Sequence, residues 1–363
     1  MTNPDLPFWL GLTRFRKFGP IRMQKLLQGF PSMHDAFHAS VSEFVHAQIE
    51  SSVAEQFCQQ RSQIDPQKEL ALLETHQIQI ITITDPDYPL LLKEIYDPPA
   101  LLFYRGILPK SERLHLAVIG SRKPSLYGKQ VVKLLIEPLA KTKTVIVSGL
   151  AYGIDALTHK TTVDVGGTTV AVLGSGLDWN HLYPSSHKGL AKSIIQSGGA
   201  LLSEFPIGIP PLKQHFPFRN RLIAGLCKGT LVIEAAQKSG SLITARLALE
   251  SGRDVYAVPG PIHSPLSLGP NNLIKMGAIP VTHVKDLLPH IQETTKTTKE
   301  ISYHPGSKEE QILYKLLSLE PLHIDDLIRE SQLLPSKVTS ILTLMEMKGV
   351  ATPIGGQYYI RAS

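Results

Sequence analysis

From residue 115 to residue 258 the chain alternates short apolar runs with longer amphipathic stretches, and that rhythm leaves few folds open. Strand patterns fall near 115–119, 144–148, 168–173, 200–203, 230–234 and 254–258. Helical stretches near 125–141, 153–165, 186–197, 217–227 and 239–251 separate them. Strands joined by single helices pair in parallel and are covered on both faces, which predicts an α/β fold with a parallel sheet core. In open sheets of this kind a ligand lies beyond the carboxyl ends of the strands.

Several of those ends carry unusual turns. The first reads Leu116-Ala-Val-Ile-Gly-Ser-Arg122, and the second Val145-Ile-Val-Ser-Gly-Leu-Ala-Tyr-Gly-Ile-Asp155. A turn of small residues leaves backbone N–H groups uncovered at the mouth of the following helix. Those donors, with the positive helix end, make a seat for an anion, most often phosphate. Arg122 adds a planar fork suited to bidentate phosphate contact. The same glycines also serve the plainer purpose of letting a helix pack close to a strand. Leu173-Gly-Ser-Gly176 offers another exposed turn, and Phe216-Pro-Phe-Arg-Asn-Arg221 sets aromatics beside two guanidinium groups. That combination suits a single strand, whose bases stack on rings while cations hold its phosphates. Ser239, Gly240 and Ser241 stand at a further helix mouth, where Ser239 is either part of an anion site or simply a helix cap.

The flanks differ from this core. Residues 1–65 show helical periodicity, with Pro20 placed to open a helix. Arg14, Arg16, Lys17, Arg22 and Lys25 cluster there, as a backbone contact for DNA or as a solvated face. His34 and His38 have the spacing of a zinc-protease pair but Asp35 where the base should be Glu, so no metal is expected. Ile78–Ile83 and Leu101–Tyr104 read as strands, separated by the rigid turns Asp85-Pro-Asp-Tyr-Pro89 and Asp97-Pro-Pro99. Residues 291–306 are polar and aperiodic, a linker. Helices near 308–318, 323–330 and 335–348 precede strands 350–354 and 357–361, joined at Gly355-Gly356. Three helices and a hairpin outline a winged helix. The expected domains are 1–65, 66–290 and 307–363, with the linker between the last two.

Charge is unevenly spread. Residues 1–65 carry six basic and six acidic side chains, residues 307–363 six and seven, and the central region 25 and 18, so the middle carries net +7 of a chain whose total is +6. Attraction to a polyanion belongs there. The third helix of the winged helix offers Lys337 and Lys348 against Glu346, which favours partner docking or regulation over groove binding.

Several chemistries lack their motifs. No G-x-x-x-x-G-K-[ST] occurs, Gly149-x-Ala151-x-Gly153 is not a dinucleotide fingerprint, and Ser148 lacks a nucleophile elbow despite His159 downstream. No catalytic residue and no cofactor are expected. Two widely spaced cysteines, Cys58 and Cys227, suit a reducing compartment, and neither a signal peptide nor a membrane span is read, so the expected location is cytoplasmic.

Taken in order, the motifs resemble those of the DNA-processing protein A (DprA/Smf) family. They are Tyr88-Pro89, Asp97-Pro-Pro99, Gly120-Ser-Arg122, Ser148 to Asp155 with His159, and Gly174-Ser-Gly176 with Tyr183-Pro184. Ser203-Glu204, Phe216 to Arg221, Glu234 with Ser239-Gly240 and Thr244, Ala257-Val-Pro-Gly260, and Leu273 to Ala278 complete the set. The resemblance implies an extended Rossmann core between an N-terminal domain of the sterile-alpha-motif type and a C-terminal winged helix. It implies a homodimer that binds single-stranded DNA, without catalysis, and helps load RecA recombinase in natural transformation. Carried onto this chain, the phosphate pocket is Gly120, Ser121, Arg122, Ser148, Gly149, Ala151 and Gly153, with Lys213, Phe216, Phe218, Arg219 and Arg221 supplying charge and stacking. Nucleotide phosphoribohydrolases have a related core, but their P-G-G-x-G-T-x-x-E motif is replaced here by Ser239-Gly-Ser-Leu-Ile-Thr244. A transcription regulator acting through the winged helix is the remaining alternative.

Overall fold

The computed structural model describes residues 4–287, 305–318 and 320–361. The chain divides into two units, Met1–Thr294 and Thr295–Ser363. The expected linker, 291–306, lies outside the described residues except for its last two.

The first unit begins with six helices: α1 (Leu6–Arg14), α2 (Pro20–Gly29), α3 (Met33–His38), α4 (Val41–His46), α5 (Ser51–Gln60) and α6 (Pro66–Thr75). Their limits are written locally. Pro20 opens α2, Ser32 caps α3, and Ser40 with Glu43 forms a reciprocal capping box on α4. Phe15, Phe18, Phe37 and Phe44 converge on Phe57 with centroids 4.8–5.7 Å apart, the tilted and edge-on geometry that aromatic rings favour. Helix α6 lies beyond residue 65, yet its Leu73 enters the same core and its Glu69 pairs with Arg14 at 2.7 Å. That core continues into Leu101, Phe103, Ala171 and Leu201 of the sheet, so the helices lean on one sheet face.

Nine strands follow: β1 (Gln79–Thr82), β2 (Leu101–Gly106), β3 (His115–Ile119), β4 (Val145–Ser148), β5 (Thr168–Val172), β6 (Ala200–Ser203), β7 (Gly229–Val232), β8 (Asp254–Ala257) and β9 (Ile279–Pro280). Between them run α7 (Leu90–Lys93), α8 (Leu126–Ala140), α9 (Ile154–Asp164), α10 (Lys188–Gln196), α11 (His215–Gly225), α12 (Gly240–Glu250) and α13 (Leu268–Lys275). The sheet order is β1-β2-β6-β5-β4-β3-β7-β8-β9. Strands β3 to β9 are mutually parallel, and every residue of β3, β4 and β7 is buried, as expected of strands covered on both faces. The expected parallel core runs from β3 to β9, and two strands extend it antiparallel: β1 and β2 pair antiparallel, and β2 runs antiparallel to β6. Strands β4 to β6 lie on one side of β3 and β7 to β9 on the other. The boundary between β3 and β7 is therefore the topological switch point, where a crevice opens.

The second unit holds α14 (Lys308–Leu316), β10 (Leu322–His323), α15 (Ile324–Ser331), α16 (Pro335–Met347), β11 (Ala351–Gly355) and β12 (Tyr358–Arg361), with sheet order β10-β12-β11. Leu313, Leu327, Val338, Leu342 and Met345 form its core. Gly355, Gly356 and Gln357 take φ of 91°, 60° and 62°, and the two glycines bear that conformation without strain. This is a winged helix, with the short β10 added to the expected hairpin. Among the described residues no helix is long and apolar enough to cross a membrane.

Candidate functional site

A cleft of about 640 Å3 opens at the switch point, between the turn after β3 and the start of α12. Gly120, Ser121, Arg122, Ala151, Lys213, Phe216, Arg219, Ser239 and Gly240 all line it, joined by Tyr183 and Asp155. Most of the expected site residues thus meet in one place, although their roles divide sharply.

The turn after β3 is shaped by close approach. A Cβ at Gly120 would fall 2.7 Å from Ile154 and 3.0 Å from the Glu234 carbonyl, and one at Gly153, where φ is 80°, would fall 2.3 Å from the Ser121 carbonyl. The two turns therefore interlock, and the Ile154 amide donates to the Ser121 carbonyl at 3.0 Å. Beyond them the expected open mouth of α8 is closed. Ser125 caps the helix by accepting from the Gly128 amide, and both its own amide and its hydroxyl donate to the buried Glu234 carboxylate. An internal anion already sits where a phosphate was expected.

The second turn is corrected in the same way. Gly149 and Ala151 do form a nest of amides, but both donate to Asp155 Oδ2, at 3.1 and 3.4 Å. Ser148 is fully buried and donates to the Val118 carbonyl at 2.6 Å. Burial raises the Asp155 carboxyl above its ordinary range, opposed by the nearby Arg219 guanidinium. Arg219 itself is only 5% exposed and donates to the Gly149 and Val172 carbonyls; burial lowers it to about 10. Of these three only Arg219 lines the cleft, and it is turned to backbone carbonyls; Ser148 and Gly149 lie outside the lining, their hydrogen bonds spent on the fold.

Arg221 and Phe218 do not join the cleft. The Arg221 guanidinium is buried between Glu204 and Asp97, with the Phe218 ring 4.3 Å from its centre. What remains for a ligand is exposed and cationic: Arg122 and Lys213, with the half-buried Phe216 ring 6.0 Å from the Arg122 guanidinium. Tyr183, 44% exposed, stands 5.6 Å from Phe216. Its place was not legible, because only the fold brings the 174–187 loop against α11. Ser239 caps α12, accepting from the Ser241 amide at 3.3 Å, while Gly240 faces open space at the tip of that helix. Among the described residues no group of three or more His, Cys, Asp or Glu is placed to hold a metal.

His159 lies under the second turn, fully buried, with Nδ1 2.7 Å from Thr169 Oγ1. Burial, helped by the Arg219 charge, depresses it from 6.5 to about 3. A depressed folded-state value means the neutral ring's contribution is present above pH 6.5 and is lost as pH falls towards 3. Replacing it by Gln should remove up to about 1.4 kcal/mol per pH unit from the wild-type acid slope below 6.5. Chemical denaturation at pH 7 and pH 5 checks this; parallel slopes would mean that the ring titrates normally.

A doubly wound α/β sheet with a cationic, aromatic crevice at its switch point, followed by a winged helix, defines a protein of the Rossmann type. The family model for DNA recombination-mediator protein A matches residues 79–292, and that for the DprA winged helix domain matches residues 298–357. The chain belongs to the DNA-processing protein A (DprA/Smf) family. Protein Smf of Synechocystis is 34% identical over 408 residues, covering 99% of this chain and 100% of that one. Protein Smf of Escherichia coli is 48% identical over 223 residues, 61% of this chain; the chain spans 59% of that relative's length. The structure of DprA from Streptococcus pneumoniae superposes with a TM-score of 0.66 at 36% identity, covering 79% of this chain and 98% of that one. DNA processing protein A from Helicobacter pylori, whose structure concerns its single-stranded DNA binding mode, gives a TM-score of 0.51 at 29% identity, covering 59% of this chain and 95% of that one.

Proposed function

We propose that this protein binds single-stranded DNA in the switch-point cleft, without catalysis, and as a homodimer presents it to RecA recombinase during natural transformation. One observation carries the DNA reading: two exposed cations, Arg122 and Lys213, share a cleft with the Phe216 and Tyr183 rings. Cations that hold phosphates beside rings that accept any base describe a binder of flexible strands with little sequence preference. Recombinase loading, the dimer and the cytoplasmic setting rest on family membership. The non-catalytic reading draws on the carboxylates around the cleft. Asp155 is spent on two backbone amides and Glu234 on Ser125, so neither is poised as a general base. The winged helix fits a partner-docking or regulatory role, since Lys337 pairs with Glu309 at 3.2 Å and Lys348 with Glu310 at 2.7 Å.

The test is affinity for single-stranded against double-stranded oligonucleotides over a salt series. Single strands should bind at least about tenfold more tightly, and log affinity should fall with log salt at a slope near −0.7 for each phosphate held. Equal affinities, or a flat salt response, would sink the proposal.

A further inference from the structure

Four of the five cations of the basic cluster at the start of the chain are tied down by hydrogen bonds within the fold, two of them to acids. Arg14 pairs with Glu69 and donates to the Ile207 carbonyl at 2.8 Å; Arg22 pairs with Glu50; Lys17 bonds Gln56 and Lys25 the Gln48 carbonyl. Among the described residues, Arg16 alone of the five makes neither hydrogen bond nor ion pair, and it is exposed.

Its surroundings follow from one contact and from the reach of its charge. The Arg14 bond to Ile207 fastens the end of α1 to the 204–214 loop, which delivers Lys213 to the cleft. Pro206, Pro210 and Pro211 stiffen that loop. The charge is felt at His215. His215, at the start of α11 and two residues past Lys213, is held below its ordinary range by burial foremost, and the Arg16 charge adds to that lowering. The Arg14 bond thus brings the end of α1, two residues before Arg16, to the loop that carries Lys213 into the cleft, and the Arg16 charge reaches the start of α11.

We propose that Arg16 extends the cleft's phosphate track, so that a single strand leaving Arg122 and Lys213 continues across the start of α11 onto the N-terminal helices. This rests on the single-strand reading above. It gives a role to the one cation of the cluster that, among the described residues, makes neither hydrogen bond nor ion pair, and it gives the helical region a share in binding that the cleft residues alone do not disclose. The partner is a flexible polyanion longer than the cleft; a short strand filling the cleft does not reach Arg16.

The measurement is affinity of the full chain for oligodeoxythymidines of roughly 6 and 16 nucleotides, within the usual range of single-strand site sizes. Wild type should gain affinity with length. Arg16→Glu should erase about tenfold of that gain and flatten the salt slope on the long strand by about 0.7, the share of one phosphate. Arg16→Ala should do the same more weakly. Lys25→Glu makes the same change in net charge at a bonded lysine and serves as the control. An unchanged length gain in Arg16→Glu, an equal loss on both lengths, or an equal effect of Lys25→Glu overturns the proposal. Failure of the parent reading looks different: Arg122→Glu would then bind both lengths as wild type does.

Discussion

Arg122→Glu should lower single-strand affinity by about 100-fold or more while leaving stability within about 0.5 kcal/mol of wild type. The guanidinium is exposed at the rim of the cleft, and the Phe216 ring 6.0 Å away is its described side-chain neighbour, so removing it costs the fold little. Its loss from a complex removes a charge-assisted contact of about 1.5–3 kcal/mol, and the new carboxylate adds repulsion against the same phosphate. At about 1.4 kcal/mol per factor of ten, the two together exceed two decades. Arg122→Lys separates charge from geometry. An ammonium keeps the point charge but not the planar fork, so an intermediate loss of about tenfold is expected. Binding by Arg122→Glu at wild-type strength in moderate salt would place the strand elsewhere.

The contrast between Arg122, Arg219 and Arg221 shows where sequence reading stops. All three follow strands or open helices in motif-like surroundings, and sequence assigns them one role. What separates them is the acid that waits for each in the fold. Two carbonyls hold Arg219 within reach of the Asp155 charge, Glu204 and Asp97 hold Arg221, and no described acid pairs with Arg122. One local signal was available: Arg219 shares a helical stripe with the buried Leu222, Ile223 and Leu226, which already points it inward. For Glu204 and Asp97, contributed by distant segments, no such signal exists. The nests tell a similar story. The Gly and Ala turns were legible as cradles, and they are cradles, but Asp155 fills one and Glu234 closes the neighbouring helix mouth. An acid in the first turn of a helix often serves that helix's own amides, and Asp155 stands in that position. The central strands were legible because burial on both faces writes unbroken apolar runs, whereas the direction of β2 was not, since a strand pattern carries no direction. Helix α13 and the two-residue β9 were too short or too mixed in composition to stand out.

Arg221→Ala should behave as the inverse of Arg122→Glu: a large loss of stability with little specific loss of affinity in the protein that remains folded. Arg221 is 7% exposed and holds two carboxylates from separate segments, Asp97 at 3.2 Å and Glu204. Glu204 is itself buried, and burial already lifts its carboxyl above the ordinary range against the pull of Arg221. Deleting one partner of a buried pair leaves the other charged and uncompensated, at a cost of about 3–5 kcal/mol. The loss can be read cleanly, because both tryptophans, Trp9 and Trp179, lie in the first unit, so their fluorescence in a denaturant titration does not report the winged helix. The pH dependence fixes the cause. A carboxyl raised in the folded state stabilises below its unfolded value, near 4.5, and that stability is lost as pH rises through the folded value. With Arg221 gone the folded value rises further, so the deficit should be widest at neutral pH and narrow towards 4.5. Glu204→Gln added to Arg221→Ala should recover part of the loss by removing the stranded charge. If Arg221→Ala instead melts like wild type while single-strand affinity collapses, the guanidinium is a ligand contact and its burial between the two acids does not describe the working protein.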